Sequence, residues 1–312
     1  MALPINVLLN LIFQPIGLIC AIIVLFSIIG LAIINRESAN RMTVRLVAAI
    51  AFSDILAHIG ELYASINRSI PLESSLCSTV MGFRAISKTF YCFTNMAICF
   101  HLYRSLVLLK KSTLKIEFIT WIATLVLVVV FSIMYWSFGA FSGVKGKVGC
   151  NPGSDDPTLN QVFLLMMGFI NVLTIVIGIV TTILGRRNLH KYINVFSATL
   201  TDRGDDCDQI IRDRKKMAER SFLYPLSTCI TLPIEAIFLI MYGFGSFNQK
   251  LGTPKAITLG LSGVLTGIAF AIDPATRIAF RSAYRKFKYG NLDKGLGNDQ
   301  FKGDYDIPLQ NN

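Results

Sequence analysis

Histidine, tryptophan and charge are all scarce in this chain. Its 312 residues include three His and two Trp, and 16% of them are charged against 53% hydrophobic. His58, His101 and His190 fall at different depths of different segments, so no histidine-based metal centre and no catalytic cluster is in view. Neither an enzyme nor a cofactor is expected. The sequence has no internal repeat and no low-complexity tract. It also lacks a basic start followed by a small-residue cleavage site, the mark of a removable signal peptide. The net charge of +11 does not call for nucleic acid, because basic loops against anionic lipid account for it.

What is present in quantity is apolar length. Seven stretches, at 14–34, 44–66, 77–103, 118–140, 160–185, 217–243 and 255–279, approach or exceed the roughly 20 residues that cross a hydrocarbon core. Backbone groups in lipid must bond within their own segment, so each stretch predicts a helix. With the amino terminus outside, the inner segments (35–45, 104–117, 186–220 and 277–312) carry 23 of the 30 Lys and Arg, and the outer ones carry five. That bias orients the chain with its amino terminus extracellular and its carboxyl terminus cytoplasmic, as a multi-pass plasma-membrane protein in contact with lipid. The expected fold is an all-α membrane protein, a seven-transmembrane helix bundle over 1–289. A cytoplasmic tail follows over 290–312.

Charges inside the apolar stretches are the informative exceptions, because they are costly there and face the bundle interior. Asp54, His58 and Glu61 fall on one helical stripe of the second stretch. Arg84 and Lys88 share a face of the third. Asn171 and Thr174 lie in the fifth, and Pro225, Pro233 and Glu235 in the sixth. Two readings stay open: an internal ion-pair network, and a polar ligand pocket open to the outside that is formed by His58, Glu61, Arg84, Lys88, Asn171 and Glu235. On the inner side, Tyr103, Arg104, Arg212, Lys215, Lys216 and Arg277 are candidates to face a partner protein. Phe280, Ala283, Tyr284 and Phe287 recur at helical spacing between basic residues, which predicts a short interfacial helix over about 280–289.

Seven cysteines are present, and most lie within the apolar stretches. Cys77 and Cys150 instead fall on the outer face, where disulfides persist. Asn67-Arg68-Ser69 is a weak glycosylation sequon on the same side.

Several of these residues together resemble the G-protein-coupled receptors over nearly the whole chain. Leu46 through Asp54 is similar to the second-span pattern that ends in a buried Asp. Trp121 sits where a fourth-span Trp is common, and Asp273-Pro274 resembles the motif closing span seven. Cys77 and Cys150 match the bridge from span three to the second outer loop, so the resemblance implies a disulfide between them. Ala97-Ile98-Cys99-Phe100-His101-Leu102-Tyr103 and Tyr224-Pro225-Leu226 resemble the slime-mould cyclic-AMP receptors and the fungal nutrient-sensing group. The resemblance implies a receptor that couples an extracellular ligand to a heterotrimeric G protein. It further implies that Asp54 and Asp273 approach one another around a core cavity able to hold sodium, with Pro233 and Pro274 at switch positions. The chain departs from the pattern in lacking an Asp-Arg-Tyr triplet, since Arg104 follows Tyr103, and in having no Trp before Pro233.

The alternatives are fewer. A retinal-binding protein needs a Lys deep in the last stretch, and Lys255 lies at its outer edge. A small secondary transporter using Asp54, Glu61 and Asp273 is the runner-up, although paired repeats are not evident. Residues 283–312 contain no Ser or Thr, which shifts candidate phosphate acceptors to Ser197, Thr199 and Thr201.

Overall fold

The computed structural model describes residues 4–36, 42–72, 74–108, 113–144, 149–200, 222–246, 249–272, 276–277, 280–282 and 284. These residues form an all-helical bundle. Its helices are α1 (Ile5–Ile34), α2 (Met42–Ile66), α3 (Ser75–Leu102), α4 (Leu114–Ser137), α5 (Pro157–Leu200), α6 (Leu223–Gly243), α7 (Gly252–Gly260) and α8 (Ser262–Ile272). Leu261 joins α7 to α8 without a gap in hydrogen bonding, since its amide reaches the Ile257 carbonyl and its carbonyl accepts from Leu265. α7 and α8 therefore make a single crossing.

Six crossings among the described residues are long and apolar enough to span a membrane: 5–34, 44–66, 114–137, 157–188, 223–243 and 252–272. The six agree with the sequence expectation, with shifted ends. α1 begins nine residues earlier than the predicted span. α5 runs 44 residues, about 66 Å at 1.5 Å per residue, so the loop predicted from residue 186 is helical as far as Leu200. α3, the remaining predicted span, has the length but not the apolarity, because it carries Arg84, Lys88, Asn95 and a run of hydroxyls.

The distribution of side chains is inverted relative to a protein that folds in water. α1 exposes Ile5, Leu8, Ile12, Ile16, Ile19, Ile23 and Phe26 along one stripe and buries Gln14, Gly17 and Ala21 on the other. α4 likewise exposes Leu114, Phe118, Ile122, Leu125, Val129 and Ile133. Apolar surface on this scale has no place in water and requires lipid around it.

Helix ends follow local chemistry. The Ser74 hydroxyl accepts from the Cys77 amide and caps α3. Asp156 accepts from the amides of Thr158 and Leu159 ahead of α5, with Pro157 in the first position, where a missing N–H is harmless. α1, α2, α3, α5, α6 and the α7–α8 crossing close a ring, with α4 packed against α3 from outside. α3 touches α2, α4, α5 and α6, and most of its residues are buried. The fully buried Tyr135 knits α4 to it. Its phenol oxygen accepts from Thr89, and its ring meets Phe163 of α5 edge-on at 5.3 Å.

At one end of the bundle a disulfide joins Cys77 to Cys150, with 5.3 Å between their α-carbons. It holds the segment after α4 over the head of α3. At the opposite end α3 runs into a π-helical turn, Tyr103–Val107, where Asn188 of α5 donates to the Val107 carbonyl. The predicted interfacial helix falls largely outside the described residues. Of its near end, Phe280 packs edge-on against Phe270 and Ser282 accepts from Asn35.

Candidate functional site

Five charged side chains from four elements form one continuous chain of contacts near the disulfide end. The Arg84 guanidinium donates to Glu61 from Nη2 at 2.7 Å and from Nε at 3.4 Å. Lys88 reaches Glu61 at 3.1 Å and also bonds Glu235 directly. Lys255 approaches the same Glu235 Oε1 at 3.5 Å and lies 4.6 Å from the centre of the Phe238 ring. The α-helical period explains the assembly. Arg84 and Lys88 are one turn apart on α3, so each can meet a carboxylate from a different neighbour, Glu61 of α2 and Glu235 of α6. Arg84 also donates to the Cys150 carbonyl at 2.6 Å and to Asn151 at 3.1 Å, which couples the disulfide-held segment to the charges beneath it.

These charges line a cavity of about 310 Å³, the lower end of the ~300–1,000 Å³ range of small-molecule sites. Its remaining wall is mostly apolar, with Phe163, Leu164 and Met167 from α5 and Phe238, Leu239 and Tyr242 from α6. A vestibule of about 240 Å³ adjoins it and is lined by Asn6, Asn10, Arg68 and Arg84. Below Lys88 a small chamber of about 30 Å³, room for a water or two, reaches His58 and Asn171.

From the vestibule a row of polar side chains descends into the bundle. Gln14 donates to Asn10 at 3.5 Å and meets His58 Nδ1 at 2.6 Å. His58 Nε2 lies 3.3 Å from the Ser262 hydroxyl. Ser262 and Thr266 each donate to one oxygen of Asp54, at 2.9 and 2.8 Å. Asp54 is fully buried, and among the described residues no cation pairs with it.

The residues singled out from the sequence sort as follows. Glu61, Arg84, Lys88 and Glu235 meet in the ion chain. His58 and Asn171 lie one layer below it. Asn171 Oδ1 accepts from Cys92 at 3.2 Å, while its buried Nδ2 has no partner among the described residues. Asp54 is in the core, but Asp273 and Pro274 lie outside the described residues, as do Arg212, Lys215 and Lys216. Pro233 lies inside α6. Tyr103 and Arg104 occupy the π-helical turn, and Arg277 Nε donates to the Ala271 carbonyl. The Asn67 side-chain amide is bonded to the Tyr63 carbonyl at 3.2 Å.

Several contributors were not singled out from the sequence. Lys255 stands at the edge of an apolar stretch and reads there as a loop residue. Gln14, Ser262 and Thr266 read as ordinary polar residues in apolar runs, although Ser262 and Thr266 are one turn apart on α8, a signal that was available. Arg45 and Glu117, paired through two bonds at 2.7 and 2.5 Å, tie α2 to α4 toward the other end. No protein-family model matches the chain, and no curated protein matches it. The functional reading therefore rests on the residues themselves.

Proposed function

We propose that the chain is a G-protein-coupled receptor of the plasma membrane, with the disulfide end extracellular. A ligand enters the charged cavity and shifts the balance between two packings of the helices. A heterotrimeric G protein reads that shift at the opposite, basic end. In this reading α3 is the seventh span, its polar side chains tolerated because they face α2, α4, α5 and α6 rather than lipid. The observation that carries the proposal is the cavity itself. Ionic contacts from α2, α3, α6 and α7 meet in one space at the disulfide end, so a ligand bound there touches four helices at once. The basic asymmetry of the loops supports the orientation, and the sequence resemblance supports the coupling partner. Tyr103, Arg104, Arg212, Lys215, Lys216 and Arg277 are the residues proposed to face the G protein.

A second-messenger readout in cells expressing the chain, challenged with pooled nutrients, lipids and nucleotides, tests this reading. A dose-dependent response that Lys88→Leu removes, at unchanged surface expression, is the expected result. Silence toward every pool, with the protein at the cell surface, would count against it. The runner-up is an ion-coupled transporter using Asp54, Glu61 and Asp273. It draws on the polar row from Asn10 to Asp54, which links a cavity to a buried carboxylate that meets no cation among the described residues. Ion-dependent flux into liposomes holding the purified chain would favour it over the receptor.

A further inference from the structure

We propose that the cavity takes a small organic anion: a carboxylate or phosphate head seated at Lys88 and Lys255, with an apolar body against α5 and α6. The inference rests on the receptor reading for its biological use, since the site is the same. It is tested by binding rather than by signalling.

The first argument is the charge count. Arg84, Lys88 and Lys255 share two carboxylates, and each carboxylate is already divided between two cations. Glu61 takes Arg84 and Lys88, and Glu235 takes Lys88 and Lys255. The cluster is therefore short of one negative charge. A cationic ligand would meet carboxylates already occupied and add to the excess. An anion would complete it, and ions out of water are tolerable only when so balanced.

The second argument is the supply of hydrogen bonds. An ammonium has three donors. Among the described residues Lys255 has a single acceptor, at 3.5 Å, and an aromatic face. In the chamber below, Asn171 Nδ2 is a second buried donor without a partner among the described residues. Both unspent groups are donors, so the missing partner is rich in acceptors. The vestibule repeats the sign, with Arg68 and Arg84 against a single carboxylate, Glu61, on its wall.

The third argument is shape. The volume of about 310 Å³ fits a small molecule rather than a protein segment, and the wall opposite the charges is aromatic and aliphatic. A bare inorganic anion would leave that wall empty, whereas an acid with an aryl or alkyl body fills it.

The experiment uses the full chain in nanodiscs of neutral phospholipid. Its melting temperature is followed as 4-phenylbutyrate, octanoate and phenyl phosphate are titrated, beside 4-phenylbutyramide and 4-phenylbutylamine. The anions raise the melting temperature with dose, and the amide and the amine do not. Lys255→Gln, which removes the excess charge, melts no lower than the wild type without ligand and binds the anions about tenfold more weakly, the scale of one charge-assisted hydrogen bond. Lys255→Arg keeps most of the affinity. Glu235→Gln, which frees Lys255 and leaves Lys88 with Glu61 alone, binds anions more tightly. The same titration in discs containing phosphatidylglycerol separates the sources of the anion. A stabilisation already present from the lipid, erased by Lys255→Gln, assigns the head to a lipid and overturns the free acid. The proposal also falls if the amide or the amine stabilises as well as the acid, if no anion does, or if Lys255→Gln binds like the wild type. Anion binding without any G-protein response would leave this site standing and remove the receptor reading alone.

Discussion

Glu235 holds two lysines on a single oxygen, and that makes it the residue on which the interior charges most depend. It is 2% exposed, so removing it strands Lys255 in a poorly solvated interior and leaves Lys88 with Glu61 alone. Glu235→Ala is expected to destabilise by about 3–5 kcal/mol, the range for breaking a buried pair from one side. Adding Lys255→Met should recover part of that loss, because the stranded charge goes with it. Thermal unfolding of the two variants in detergent checks the pair, and equal melting temperatures would contradict it. The Arg45–Glu117 pair is a different case, since the Arg45 side chain is 30% exposed. There the two-bond fork matters more than the charge, and Arg45→Lys should lose about 1 kcal/mol in the same assay. Much of this residue-level picture was legible beforehand. Stripe spacing put Asp54, His58 and Glu61 together, and Arg84 with Lys88. Partner choice was not legible, because Arg45 and Glu117 are 72 positions apart and no local spacing links them.

Between elements, α1 lies in backbone contact with the α7–α8 crossing. A β-carbon on Gly263 would stand 2.1 Å from the Gly17 carbonyl oxygen, and one on Gly17 would stand 2.6 Å from His58 Cε1. The backbones touch there, and the contact holds His58 between Gln14 and Ser262. Gly263→Ala must push the helices apart, with an expected loss of about 1–3 kcal/mol. Gly30→Ala meets nothing within 4 Å on the same α1 and should be neutral or slightly favourable by about 0.5–1 kcal/mol. Melting temperatures of the two variants side by side give the test, since a general intolerance of α1 to alanine would lower both. Element type and rough extent were readable from apolar length. The ends of α5 were not. Its last twelve residues are helical but interrupt their apolar positions with His190, Lys191 and Asn194, and a hydropathy pattern reports the solvent rather than the helix.

For the whole molecule, the disulfide decides how the cavity is roofed. Cys77 and Cys150 lie 73 positions apart, so the bridge closes a long loop, worth at most about 4 kcal/mol in chain entropy. The reference chain held in a membrane is already restricted, which lowers that figure. Because the Cys150 carbonyl also accepts from Arg84, Cys150→Ser should both lower the melting temperature and weaken anion binding. A variant that melted early yet bound normally would separate the roof from the site. Topology has its own check: an epitope at the amino terminus should be reached by antibody on intact cells, and one at the carboxyl terminus only after permeabilisation. The sequence by itself determined that the chain is helical and that it lives in lipid, because both follow from apolar length, a property of the chain read in order. It also marked which spans carry interior charge, since a charged side chain in an apolar run has to face inward. Only the tertiary structure decided that α3 packs against α2, α4, α5 and α6, that Lys255 joins the other four charges, and that Asp54 meets hydroxyls rather than a cation among the described residues. Those outcomes depend on how helices far apart in sequence rotate against one another, and a few degrees of rotation move a side chain from lipid to cavity without changing any local pattern.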